Sequence, residues 1–391
     1  MKRMLIACLT GLVALALAVP ASAVSLGSPD FKGEGIDFQV RGSFKAVGQW
    51  TDGATFDEET DDDEFVAGQR ARTYFEMAAN ENVKYVLGLE IGETTWGNKE
   101  EGGALTADEK VVKVKHSYLD FAYGNLDVRA GLQAVSLPSH YGSNILNADG
   151  AALTVSTEVN DMLSVTAGWV RAEDKSGAGS QDEQGSNEYD IGFLAAPITM
   201  DTVDFTPFFA YAWLGKDTDA WAHLEDDANA YWTGFSGDVN LDPITVMADL
   251  NYGRVSAEED ENEQRGWYGY LEADYAMDTV TPALFGFYGS GDDDDADDGS
   301  EIMPKTGGED YWMGGSTFLF DGGTLFAGIE HSDLLAKVDG LAGAGLKLKD
   351  IQFIDKLSHN FMFMWAQGTN DKKAVKDRIV TDDDVDGPEI G

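Results

Sequence analysis

From Ile36 to Trp50 every second residue is apolar or small: Ile36, Phe38, Val40, Gly42, Phe44, Ala46, Gly48 and Trp50. The residues between are Asp37, Gln39, Arg41, Ser43, Lys45, Val47 and Gln49, all polar but Val47. A period of two means an extended strand with one apolar and one wet face. The strand is long for a soluble sheet, where about 5–6 residues is usual, whereas a bilayer crossing takes about 9–11.

The same pattern recurs along the chain. Strands are expected at Phe65–Ala79, Val83–Gly92, Val111–Ala122, Leu126–Gln133, Ala151–Thr157, Met162–Arg171, Tyr189–Ala196 and Val203–Leu214. Further strands are expected at Tyr231–Leu241, Ile244–Val255, Trp267–Tyr275, Val280–Tyr288, Tyr311–Phe320, Thr324–Ile329, Leu341–Phe353 and Ser358–Gln367. In Val111–Ala122 the phase breaks, because Val112 and Val114 oppose Leu119 and Phe121, and a bulge would reconcile them. Short connections at Asn80–Asn82, Gly124–Asn125, Asn160–Asp161, Asp242–Pro243 and Asp355–Leu357 alternate with long ones. Alternating segments with short turns on one side and long loops on the other predict an all-β, transmembrane, antiparallel up-and-down β-barrel of 16–18 strands. Pro207 and Pro282 fall near the short-turn ends of their strands, where a lost ladder bond is tolerable.

Seven of the nine tryptophans fall near the long-loop ends of these strands: Trp50, Trp169, Trp213, Trp232, Trp267, Trp312 and Trp365. One level of tryptophans predicts an interfacial aromatic girdle.

The N-terminus reads as an export signal. Lys2 and Arg3 precede an apolar run from Met4 to Val19, and Ala21-Ser22-Ala23 offers a cleavage site after Ala23. Residues 1–23 are then signal and 24–391 the β-barrel domain. Cys8 is the only cysteine and would leave with the signal, which excludes disulfides, thiol catalysis and cysteine metal sites from the mature chain.

Acids outnumber bases 70 to 27, for a formal charge of −43. Nucleic acid is excluded as a partner, since phosphate binding needs a basic surface. The acids cluster in runs such as Asp57–Glu64 and Asp292–Asp298, where loops belong. Asp382, Asp384 and Asp386 with Gly387 match the start of a calcium loop whose closing glutamate would lie past Gly391, a weak match. No cofactor or dedicated metal is expected, and loose divalent bridging between acidic loops and lipopolysaccharide fits the runs better. Nor is an enzyme: the five histidines are scattered, and Gly234-Phe235-Ser236-Gly237 is not a nucleophile elbow.

Arg70-Ala71-Arg72-Thr73-Tyr74-Phe75-Glu76, then Val128-Arg129-Ala130-Gly131-Leu132-Gln133, then a loop with Leu137-Pro138-Ser139 resembles the trimeric general-diffusion outer-membrane porins, and most closely the homotrimeric porins of sulfate-reducing bacteria. The motif covers about residues 36–157. The resemblance implies a trimer of water-filled barrels in a Gram-negative outer membrane, with the third extracellular loop folded into the lumen. Ala134–Gly150 matches that loop, with His140, Tyr141, Asn144 and Asp149 as its polar residues, and departs by lacking an acidic cluster. Such barrels close with an aromatic-ended C-terminal strand. Asp386–Gly391 reads as loop instead, so the closing strand is expected to be missing.

The candidate pore residues are Arg41, Lys45, Arg70, Arg72, Lys113, Lys115 and Arg129, with Lys84 lower on the same wall. They come from the first five strands and would form a basic patch, with Asp37, Glu76, Glu90 and Asp127 as available partners. A charged wall sets the field in a pore. The expected function is passive diffusion of small hydrophilic solutes and ions, with weak anion preference or none. The other reading is a non-channel outer-membrane or surface β protein, an adhesin or structural element, whose apolar faces would be packed by a second sheet.

Overall fold

The computed structural model describes residues 37–51, 64–106, 112–175, 187–219, 224, 226–259, 262–293, 299–306, 340–354, 357–371 and 386–390. Among these residues it is all-β, with 17 antiparallel strands in one sheet. The strands are β1 (Asp37–Thr51), β2 (Glu64–Asn80), β3 (Val83–Thr95), β4 (Val112–Tyr123), β5 (Leu126–Ser136) and β6 (Asn147–Asn160). They continue with β7 (Leu163–Asp174), β8 (Glu188–Ala195), β9 (Ile198–Thr199), β10 (Val203–Leu214), β11 (Ala228–Asn240) and β12 (Ile244–Ser256). The last are β13 (Gln264–Tyr275), β14 (Thr281–Gly289), β15 (Leu341–Ile354), β16 (Leu357–Gly368) and β17 (Asp386–Ile390). Connections alternate short and long, as the spacing predicts: two residues join β2 to β3, β4 to β5 and β6 to β7, and ten join β5 to β6. Two compact units divide the chain. One holds β1–β4 with Arg129–Gln133; the other holds the ends of β5 and the strands from β6 onward.

In the first unit, β1 to β4 pair in sequence order with neighbours antiparallel. The register runs Phe44↔Ala71↔Ile91↔Val112 along one face and Ser43↔Arg72↔Glu90↔Lys113 along the other. The phase break in β4 is a bulge. Gly88 pairs with His116 and Leu89 with Val114, so Lys115 is the extra residue. That one insertion returns Val112, Val114, Leu119 and Phe121 to a common exposed face. Gly131 has φ of 130°, and a Cβ there would collide with the Ser117 carbonyl oxygen and crowd Tyr118 Cα, so β4 and β5 approach closely only because it is glycine.

In the second unit, β10 to β16 pair antiparallel in sequence order. Pro207 lies where β8 ends, opposite Phe208, and before β9 takes over, opposite Phe205. Its missing N–H therefore falls in a gap of the ladder. One face carries Leu250, Leu271, Leu284, Leu346 and Phe363, all exposed, whereas the opposite face carries Asp249, Glu272 and Lys347, all buried.

Two elements differ from expectation. Asp386–Ile390 is not loop: it is β17, paired with β16 from Gln367↔Asp386 to Phe363↔Ile390. Between the strands expected at Tyr189–Ala196 and Val203–Leu214 lies a further two-residue strand, β9. The strands expected at Tyr311–Phe320 and Thr324–Ile329 lie outside the described residues, as do the signal segment and Asp382 and Asp384.

Candidate functional site

The connection between β5 and β6 is shorter than the sequence suggests, because both strands run on to leave 137–146. Asp149 is accordingly a strand residue of β6 and not part of the loop. The loop closes where the Leu137 N–H donates to the Leu146 carbonyl at 3.0 Å. Ser143 Oγ accepts from the Ile145 and Leu146 amides at 3.2 and 3.3 Å. Gly142, at φ 104°, makes the reversal, and Ser139 Oγ donates to its carbonyl. Leu137, Ile145 and Leu146 are buried in the hydrophobic cluster of the second unit, so the loop is held down by its own apolar residues.

This packing delivers His140 and Tyr141 to the buried face of β11–β15. Asp249, wholly buried on β12, meets His140 Nδ1 at 2.7 Å, accepts from the His140 amide at 3.1 Å and lies 3.0 Å from Ser139 Oγ, whose single proton it shares with the Gly142 carbonyl. Asp238 on β11 lies 3.8 Å from His140 Nε2. Burial alone would lower the histidine pKa, but the hydrogen bond and charge of Asp249, with Asp238 behind it, raise it above the ordinary value. Ser236 Oγ is 3.1 Å from His140 Nδ1, the nitrogen that also faces Asp249. A nucleophilic triad needs serine and carboxylate on opposite ring nitrogens, so this cluster anchors and does not attack.

One strand further along, Tyr141 donates to both oxygens of Glu272 at 3.0 Å. Burial and the Glu272 charge push the Tyr141 phenol well above its usual range. Glu272, on β13, also accepts from Lys347 at 2.6 Å, from Lys349 at 2.8 Å and from Tyr270. Lys349 reaches Asp274 at 2.6 Å, and Lys347 Nζ sits 4.4 Å above the Tyr141 ring and 4.7 Å from that of Phe285. Two lysines and two carboxylates thus balance under the loop, each with hydrogen-bond partners, which is the condition for keeping charges in a buried place. The loop needs no acidic cluster of its own because the carboxylates come up from the sheet. Asn144 is buried, and among the described residues its Oδ1 has no hydrogen-bond partner.

Arg41, Lys45, Arg70, Arg72, Lys84 and Lys113 share one face of β1–β4 by register, and four of the basic residues are seen in ion pairs. Arg41 bonds Glu76 at 2.8 Å and Arg72 bonds Glu90 at 2.6 Å. Asp120 takes Arg129 at 3.1 Å and Lys84 at 3.5 Å, in the role expected of Asp127. Lys113 lies across from Glu90, while Lys45 and Arg70 stand directly opposite one another.

Among the tryptophans, Trp169, Trp213, Trp267 and Trp365 are exposed on strand faces. Trp232 does not join them. It is fully buried and donates Nε1–H to the Pro304 carbonyl at 2.7 Å. Its phase is that of Ala230, Gly234 and Ser236, a row of small residues that marks the inner face of β11. Trp312 and the Trp50 side chain lie outside the described residues.

Asp249, Glu272, Asp274, Lys347 and Lys349 were not among the residues the sequence singled out. Each is the charged member of an ordinary alternating strand, and only long-range pairing brings them together. Among the described residues no group of histidine and acidic side chains could hold a metal ion.

No protein-family model and no curated protein sequence matches this chain. Solved structures with a similar course include Pseudomonas aeruginosa OccD3, at 13% identity and a TM-score of 0.49, covering 91% of this chain and 77% of that one. OmpT, an outer membrane protein of Vibrio cholerae in trimer form, matches at 10% identity and a TM-score of 0.48, over 90% and 96% of the two chains. Salmonella typhi OmpF, in a complex with daunomycin, matches at 13% and 0.47, over 87% and 92%. At these values the functional case is carried by the chain's own residues.

Proposed function

We propose that this protein is an outer-membrane porin, a water-filled β-barrel through which small hydrophilic solutes and ions diffuse passively. The observation that carries the reading is the exposure of large apolar side chains along one face of the second unit, with charged side chains buried on the other. Leu271, Leu284, Leu346 and Phe363 are exposed along one face, while Asp249, Glu272 and Lys347 are buried on the other. A water-soluble sheet would bury the first set and expose the second. A barrel in lipid does the reverse, with lipid outside and a polar lumen inside.

On this reading the 137–146 loop is the inward constriction, and His140 and Tyr141 are its anchors to the wall. The basic residues of β1–β5 line the lumen. Because Arg41, Arg72, Lys84 and Arg129 are bonded to three carboxylates, Glu76, Glu90 and Asp120, the wall's net field is small, which favours weak anion preference or none. The chain would be exported with residues 1–23 removed, assemble as a homotrimer, and meet lipid and lipopolysaccharide on its apolar belt and acidic loops. Trp169, Trp213, Trp267 and Trp365 would form the aromatic girdle.

The test is fractionation followed by liposome swelling. Recovery in the outer membrane, with swelling in small sugars and none in large ones, supports the proposal. A protein that stays in the aqueous phase without detergent and gives no swelling favours the adhesin reading.

A further inference from the structure

We infer that a second segment, Ser300–Thr306 in the connection between β14 and β15, is a constriction element that clamps the 137–146 loop and sets the size limit of the pore. The inference rests on the porin reading and adds to it a selectivity-determining part that the sequence did not indicate.

The segment is seated on the same buried face as the loop, entirely within the second unit. It begins as an extra bridge beside β13: the Arg265 amide donates to the Ser300 carbonyl at 2.8 Å and the Ser300 amide to the Glu263 carbonyl at 2.9 Å. Ser290 Oγ then donates to the Glu301 carbonyl at 2.6 Å. Ile302, Met303 and Pro304 are buried. Two aromatic side chains rise from the wall to hold the end of the segment. Trp232 Nε1–H donates to the Pro304 carbonyl at 2.7 Å, and Tyr189 OH donates to the Thr306 carbonyl at 3.0 Å. Both rings are almost fully buried, so neither bond is a surface contact.

The wall is shaped to receive this segment. A Cβ on Gly266 would collide with the Met303 nitrogen and the Glu301 carbonyl oxygen, and a Cβ on Gly253 would touch Pro304 Cγ. Glycine at these two positions makes room for backbone that lies against the strands. The segment then reaches the loop itself. The Thr306 amide donates to the Ile145 carbonyl at 3.1 Å, and Thr306 Oγ1 donates to the same oxygen. The loop is therefore held from two sides: His140 and Tyr141 tie it to β12 and β13, and Thr306 ties it to a strap fixed by Trp232 and Tyr189.

A strap packed against the inner wall narrows the water path and fixes its shape, the two quantities that filter solutes by size.

The test compares the full-length wild type with two variants in planar bilayers and in liposome swelling. W232F with Y189F removes both donors while keeping an aromatic ring at each position. G266A leaves every donor in place and displaces the strap by collision. The inference expects a higher single-channel conductance and a larger solute cut-off for both, with amide exchange at Thr306 faster than in the wild type. Unchanged conductance and cut-off in both variants, with a conducting wild type, overturns the strap's role. A wild type that forms no channel overturns the porin reading beneath it, and the two failures are thereby distinct.

Discussion

His140 and Asp249, 109 residues apart in sequence, meet through two contacts: imidazole Nδ1 to one carboxylate oxygen at 2.7 Å, and the His140 amide to the other at 3.1 Å. The pair fixes both the side chain and the backbone of the loop to β12. It also makes that attachment sensitive to pH. The groups facing the imidazole are Asp249 on β12 and Asp238 and Ser236 on β11.

The sign follows from linkage. An unfolded histidine titrates near about 6.5, and His140 titrates higher in the folded protein. Its stabilisation is therefore complete below about 6.5 and is lost as pH rises through the folded value. Hydrogen exchange of 137–146 should accelerate as pH is raised across that window, after correction for the intrinsic rate. H140N should abolish the step while leaving the rest of the fold protected.

Glu272 is shared by Lys347, Lys349, Tyr270 and Tyr141. E272A leaves Lys347 buried without its anion and should cost about 3–5 kcal/mol, the range for breaking one half of a buried pair. The E272M/K347M double variant should cost less than E272A alone. Urea unfolding from detergent micelles reads both.

Gly131 should not accept a side chain. At φ 130°, with the Ser117 carbonyl in the path of a Cβ, G131A should cost about 1–3 kcal/mol through backbone strain and loss of the close β4–β5 approach. The loss should appear as a lower melting temperature of the assembled protein.

Leu284, 66% exposed on β14, separates the lipid reading from a soluble one. In lipid, L284R should cost up to about 2–4 kcal/mol, depending on depth. On a water-exposed face the same change would fall within about 0.5 kcal/mol. Reversible unfolding from vesicles gives the value.

Much of the fold was legible because a period of two is a strong signal. β1 could be read almost to its ends, and even the β4 bulge could be inferred from Val112 and Val114 falling out of phase with Leu119 and Phe121. β17 was hidden by Gly387 and Pro388, which read as loop by local propensity but pair with Ala366 and Trp365 of β16. The loop's polar residues were found, yet their anchors were not. Asp249 and Glu272 look like any wet-face residues until the register places them beneath His140 and Tyr141. Trp232 was misplaced because its height along the strand suits a girdle, whereas its phase, set by Ala230 and Gly234, points it inward. The strap at Ser300–Thr306 has no periodicity and left no pattern to read beyond the glycines at 253 and 266 that accommodate it.

The measurement that bears most directly on the central claim is single-channel recording of the purified full-length protein in a planar lipid bilayer under a KCl gradient. The porin reading predicts stepwise, ohmic openings with a reversal potential near zero or slightly on the anion side. Persistent silence from protein that is folded, by a β-rich circular dichroism spectrum, and soluble without detergent would contradict it.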